Sequence, residues 1–153
     1  MKKVVISDVD GVLNTGQFLY NESGKCFKVF GPHDADGVKL LKEAGWTVRF
    51  ISADKRGFEI TKKRIDDMNC ELTLVSEKER LDWIESRYPI KDIVYVGDGY
   101  YDAKILKKAG CGISPKNARI EARTVADFIT DSKSGEGAFL DAAIIILKYY
   151  KDI

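Results

Sequence analysis

The sequence predicts an α/β fold built on a central parallel sheet, and three observations carry that expectation. Short apolar, β-branched runs alternate with stretches of helical spacing along the chain. Four of those runs end in polar residues suited to one crevice. The first, Lys3 to Ile6, leads into Asp8-Val9-Asp10-Gly11, carboxylates at the edge where open α/β sheets bind ligands.

Taken in order, Lys3 to Ile6 has the composition of a buried parallel strand. Gln17 to Phe30 reads as a β-hairpin, because Asn21-Glu22-Ser23-Gly24 is turn chemistry between two aromatic-rich arms. Asp34 to Ala44 is a helix closed by Gly45, and Trp46 to Ile51 a strand ending in Ser52-Ala53-Asp54. Thr61, Ile65 and Met68 share a face of a helix over Phe58 to Asn69. Leu72 to Val75 is the next strand, and Ser76 with Glu79 has the spacing of a capping box for the helix that follows. Ile93 to Val96 is a strand ending in Gly97-Asp98-Gly99-Tyr100-Tyr101-Asp102. A helix bearing Ile105, Leu106 and Ala109 leads to a strand over Cys111 to Ser114, and Pro115 to Ala118 opens a short helix. Phe128 to Thr130 reads as an edge strand, and Gly137 to Tyr150 as a final helix. Its consecutive Ile144, Ile145, Ile146 and Leu147 suggest burial on every side.

At 153 residues the expectation is one domain, 1–153, with the hairpin at about 16–31. Basic and acidic residues number 25 and 24 with no basic stripe, which argues against nucleic acid as a partner. The longest apolar run, Ala142 to Leu147, is too short to span a bilayer, and Met1-Lys2-Lys3 leads straight into a strand without a signal peptide's apolar region. Cys26, Cys70 and Cys111 match no metal spacing and fit reduced thiols in a cytoplasmic protein. His33 is the only histidine, so poly-histidine metal sites are excluded and hydrolysis would run on carboxylates, hydroxyls, lysine and a hard cation.

The strand ends supply those groups: Asp8 and Asp10, then Ser52, then Lys78 and Arg80, then Asp98 and Asp102. Each has an ordinary use in a turn, a cap or a solvated face, but their coincidence on one edge suits phosphoryl transfer. A carboxylate can take a phosphoryl group while a second acid carries the leaving group's proton. Mg²⁺ prefers oxygen ligands, so Asp8, Asp98 and a backbone carbonyl near Asp10 would suffice.

At these residues the chain resembles the haloacid dehalogenase superfamily of aspartate-dependent phosphatases. The resemblance rests on Asp8-Val9-Asp10-Gly11-Val12, Ser52, a base near Lys78, and Gly97 to Asp102. It narrows to a capless branch containing 3-deoxy-octulosonate 8-phosphate and acylneuraminate 9-phosphate phosphatases, through Leu13, the hairpin, Asp34, Gly37 and Gly135 to Phe139. It implies a Rossmann-like, three-layer fold without a cap domain. Asp8 is then nucleophile and metal ligand, Asp10 general acid/base and Asp98 a metal ligand, with Asp102 behind them. Ser52 holds phosphate with Lys78 or Arg80, Lys78 being favoured as a compact point charge. Ala53, His33 and Asp34 fall at substrate-contacting positions, although Ser52-Ala53-Asp54 stands where relatives carry Thr-Gly-Arg and His33 where an arginine is usual. The substrate expected is a small phosphorylated sugar acid. In the branch, hairpins build a tetramer, and the apolar hairpin here matches that expectation of a homo-oligomer. Two alternatives are a phospho-accepting receiver, which lacks an acid two residues past its acceptor, and a weakly catalytic oligomerising module.

Overall fold

In the computed structural model, which describes residues 3–152, the chain begins with strand β1 (Val4–Asp8) and the hairpin β2 (Asn14–Asn21) and β3 (Gly24–Phe30). Met1, Lys2 and Ile153, which the expected domain includes, lie outside the described residues. Next come α1 (Asp34–Glu43), β4 (Thr47–Ser52), α2 (Phe58–Asp67), β5 (Glu71–Leu74) and α3 (Arg80–Glu85). Then follow β6 (Ile93–Val96), α4 (Ala103–Lys108), β7 (Cys111–Ser114), α5 (Ile120–Val125), β8 (Phe128–Ile129) and α6 (Ala138–Tyr149).

Six strands form one sheet in the order β5-β4-β1-β6-β7-β8, every neighbouring pair parallel. From β1 the chain winds out through β4 to β5, then returns across β1 to build β6, β7 and β8. The order therefore reverses between β1 and β6, and a doubly wound sheet opens its ligand crevice at that point. Alternation along each strand feeds both faces. Val5, Val48, Phe50, Val94 and Val96 pack with α1, α2 and α6, whereas Val4, Ile6, Ile51, Ile93 and Tyr95 pack with α3, α4 and α5. The fold expected from the sequence is the fold observed.

The local differences have physical reasons. Trp46 precedes its strand because its N–H closes α1 on Leu41 O at 2.9 Å, and pairing starts at Thr47. Ser76 Oγ does accept the Glu79 N–H at 3.3 Å, but it caps a turn, and the helix begins only at Arg80. Pro115 to Ala118 likewise forms a turn before α5. Helix α6 does not bury every side within one chain: Ile146 is fully enclosed, while Ile144 on the outer side is 38% exposed.

Helices α1 and α6 are tied by Asp34, whose buried Oδ1 accepts the Phe139 N–H at 3.1 Å at the start of α6. Among the described residues its buried Oδ2 has no well-formed hydrogen bond. Burial pushes the Asp34 pKa up to about 6, against the hydrogen bonds from Phe139 and Leu140 and the charges of Arg64 and His33. A carboxyl whose folded pKa exceeds its unfolded value holds its proton more tightly when folded. Its contribution to stability is therefore present at low pH and is lost as pH rises from about 4 to about 6. Asp34→Asn should remove that loss. Relative to the parent, the variant should gain roughly 1–3 kcal/mol between pH 4.5 and pH 7.5, read from urea unfolding at both pH values.

Candidate active site

Asp8 is the last residue of β1 and Asp98 follows β6, so the two carboxylates face one another across the point where strand order reverses. Oxygen atoms of Asp8, Asp98 and Asp102 all lie within 4.8 Å of one another. Gly11, at φ +82°, makes this approach possible, since a Cβ there would run into the Asp98 carboxylate. Burial raises the Asp8 pKa, the Arg80 charge opposes it, and the negative charges of Asp102 and Asp98 raise it further. Asp98 is pushed up to about 6, chiefly by burial, with a further push from Asp102.

Asp102 is fully committed to building the site. Its Oδ1 accepts from Tyr95 Oη at 2.6 Å and Arg80 Nη1 at 2.9 Å. Its Oδ2 accepts the N–H groups of Asp98 at 3.1 Å and Gly99 at 2.9 Å, which folds the loop carrying Asp98. Arg80 Nη1 also stands 3.5 Å from Asp8 Oδ1, which in turn accepts the Val9 N–H at 2.9 Å. Burial works against the guanidinium's charge, but Tyr95, Asp8 and Asp102 more than offset it, and Arg80 stays protonated.

The base that enters the site is thus Arg80. Lys78 is exposed in the turn ahead of α3, because the helix that would have carried it inward starts two residues later. Asp10 lies beside the cluster but not in it. Its carboxylate accepts Asn14 Nδ2 at 2.8 Å and pairs with Lys28 Nζ at 2.9 Å, and it is not among the clustered carboxylates as a metal ligand was expected to be. Ser52 is buried at the end of β4, its Oγ accepting the Asp54 N–H at 3.1 Å. Ala53 and Asp54 line a cleft of about 340 Å³ together with Asp8, Asp10, Arg80 and Asp98.

Of the expected substrate contacts only Ala53 lines that cleft, Ser52 being buried at the end of β4. His33 is exposed at the start of α1 and Asp34 is engaged with α6, so neither lines that cleft. The cleft also holds Tyr101 of the Gly97 to Asp102 motif, together with Phe18 and Lys25 of the hairpin and Glu77, which the sequence does not single out for the site. Tyr95, read only as a strand residue, places its hydroxyl on Arg80 and Asp102. A tyrosine in a buried central strand needs such a partner, and that was the available signal.

The residues fit a divalent cation. Three carboxylates crowd together, Arg80 pairs with only two of them, Asp8 and Asp102, and among the described residues Asp98 has no lysine or arginine in ion-pair contact. Oxygen donors in that number suit a hard cation such as Mg²⁺, which Asp8 and Asp98 would hold.

A family model of haloacid dehalogenase-like hydrolases matches residues 42–140. The chain belongs to that family. This hydrolase is 29% identical over 151 residues to the 3-deoxy-D-manno-octulosonate 8-phosphate phosphatase of Haemophilus influenzae, covering 95% of this chain and 83% of that protein. Its fold matches the crystal structure of the Moraxella catarrhalis 3-deoxy-D-manno-octulosonate 8-phosphate phosphatase, in complex with magnesium ion, phosphate ion and KDO. The TM-score is 0.87 and the identity 27%, over 99% of this chain and 88% of that one. A probable YrbI family phosphatase from Pseudomonas syringae pv. phaseolicola gives a TM-score of 0.86 and 30% identity, over 96% of this chain and 85% of that one.

Removing Arg80 strands Asp8 and Asp102 without their cation. Arg80→Met should cost about 3 kcal/mol or more in urea unfolding, as for a broken buried ion pair. Lys78→Met, at an exposed turn, should stay within about 0.5 kcal/mol of the parent.

Proposed function

We propose that this hydrolase is a Mg²⁺-dependent phosphomonoesterase that cleaves a small phosphorylated sugar acid through an aspartyl-phosphate on Asp8. The observation that carries the reading is the crowding of Asp8, Asp98 and Asp102 beside one guanidinium at the strand-order switch. It is supported by the likeness to octulosonate 8-phosphate phosphatases over nearly the whole chain. The receiver and oligomerising-module alternatives have no observation in their favour.

Asp8 Oδ1 is held by the Val9 N–H and faces Arg80, which leaves Oδ2 to attack phosphorus. The bond from phosphorus to the leaving oxygen breaks, and Asp10 gives that oxygen its proton. Water then attacks the phosphorus of the aspartyl-phosphate, Asp10 takes a proton from it, and the Asp8 carboxylate is restored. Arg80 fixes the Asp8 carboxylate, while the Ser52 hydroxyl and nearby backbone N–H groups hold phosphate oxygens. Bound at Asp8 and Asp98, Mg²⁺ supplies positive charge for the phosphoryl oxygens and for the carboxylates around them.

The whole chain serves as one catalytic domain, with the hairpin in place of a cap. Leu19, Tyr20, Phe27 and Val29 of that hairpin are 53%, 60%, 64% and 50% exposed, which supports a homo-oligomer, a tetramer in this reading. Three free thiols fit a cytoplasmic enzyme, and among the described residues no helix is long and apolar enough to cross a membrane.

Asp8→Asn should abolish hydrolysis of sugar-acid phosphates in a Mg²⁺-supplemented phosphate-release assay while far-UV circular dichroism stays that of the parent. Asp98→Ala should raise the Mg²⁺ concentration for half-maximal activity at least ten-fold, and chelator should silence the parent. Full turnover of Asp8→Asn would refute the mechanism. For assembly, Phe27→Asp should convert the oligomer to monomer in light scattering. Phe18 is a poorer probe, since it sits in the cleft beneath Lys25.

A further inference from the structure

The hairpin is fastened to its own crevice by two lysines, and a single irregularity aims both of them inward. In the hairpin Leu19 pairs with Phe27 but Tyr20 pairs with Lys25, so Cys26 is an extra residue in β3. Without that bulge Lys25 and Lys28, three positions apart, would fall on opposite faces. With it, both turn toward the crevice. Lys28 is paired with Phe18 across the hairpin, and Lys25 Nζ lies 3.6 Å above the Phe18 ring.

The Lys28 side chain is completely enclosed. Its ammonium meets Asp10 Oδ1 at 2.9 Å, Asp54 Oδ2 at 2.8 Å and Thr61 Oγ1 at 2.6 Å. Lys25 Nζ meets the same Asp54 oxygen at 2.7 Å. Gly57, ahead of α2, leaves the room for this convergence: a Cβ there would come within 2.9 Å of the Lys25 and Lys28 stems and strike the Asp54 carboxylate. Asp54 is held as an anion at about 2 even though burial alone would raise it, because hydrogen bonds from Lys25, Lys28 and the Gly57 N–H lower it. A buried amine is costly unless it is paired, and this one is paired to two carboxylates of different purpose.

We propose that Lys28 is a positioning residue for the hydrolysis, its ammonium pinning the hairpin over the chain's own crevice and fixing the Asp10 carboxylate toward the leaving oxygen. This rests on the phosphatase reading above. Lys28 touches no reacting atom; it acts through Asp10, whose only other side-chain partner among the described residues is Asn14. A carboxylic acid held by two groups on different elements keeps one orientation through the proton transfer, whereas one held by Asn14 alone can swing toward solvent.

Lys28→Met tests this, because Asp54 keeps Lys25 and the fold keeps its other ties, and Lys28→Gln serves as the polar counterpart should the methionine variant not fold. Two substrates separate positioning from general damage: p-nitrophenyl phosphate, whose leaving group departs without a proton, and a simple alkyl phosphate, whose leaving group requires one. The expected result is a loss of kcat/KM of roughly 10- to 100-fold on the alkyl ester and less than about 3-fold on the aryl ester. The loss should vanish when Lys28→Met is made in an Asp10→Asn background. Amide hydrogen exchange in residues 24–30 should speed up at least ten-fold. Equal losses on both esters, an undiminished loss beside Asp10→Asn, or unchanged exchange would overturn the proposal. Failure of the unaltered protein to hydrolyse either ester would instead overturn the phosphatase reading.

Discussion

Three carboxylates share one end of the sheet with a single guanidinium, and the rest of the site is shaped by that shortage of positive charge. Burial and the neighbouring negative charges raise the pKa values of both Asp8 and Asp98. The chain answers only part of the imbalance. Arg80 takes Asp102 at 2.9 Å and faces Asp8, and Tyr95 gives Asp102 a second donor in the dry layer beneath. Even Gly97 is constrained by it, since a Cβ there would come within 2.7 Å of the Asp102 carboxyl carbon. The remaining formal deficit is two negative charges, the charge of one divalent cation.

A second group of charges beside the first is balanced. Asp10 and Asp54 are matched by Lys28 and Lys25, with Asp54 drawn well below its ordinary value rather than above it. The contrast separates two jobs within one cleft. An unbalanced cluster suits cation and phosphate; a balanced one closes on itself and gives Asp10 a fixed environment. The two meet at the β1 terminus, where Asp8 belongs to the first and Asp10, only two positions on, to the second.

The sheet was legible because its strands are short, apolar and separated by strong breakers. Ile93 to Val96 and Cys111 to Ser114 coincide with β6 and β7 residue for residue. The aspartates were legible too, since acids at a strand end need a reason. Arg80 was not separable from Lys78, because their difference lies in where α3 begins, and the turn over residues 77–79 carries no sequence signal stronger than the capping pattern it displaced. Lys25 and Lys28 were hidden for a related reason. Alternation places them on opposite faces, and nothing in Lys25-Cys26-Phe27 announces the bulge that reunites them. Asp34 went astray in the other direction: its position beside the expected substrate contacts is a fact of the chain, but its carboxylate is spent on the start of α6, a partner 105 residues away.

The hairpin resolves a problem that a domain of this size sets itself. Phosphoryl transfer gains from exclusion of water, yet the chain between β1 and α1 is long enough for two strands and nothing more. A free two-stranded ribbon is only marginally stable in water, so it must be held from one side or both. On the inner face the holding is ionic and internal, through Lys25, Lys28 and Asp54, with Arg64 Nη2 reaching Gly31 O at 3.3 Å where the hairpin ends. On the outer face Leu19 and Phe27, directly opposed, and Val29 present exposed apolar surface. The inner contacts order the ribbon within the single chain. Two strands thus line the crevice without an inserted domain: their inner face is held by ion pairs, and their outer apolar face stays exposed on the single chain.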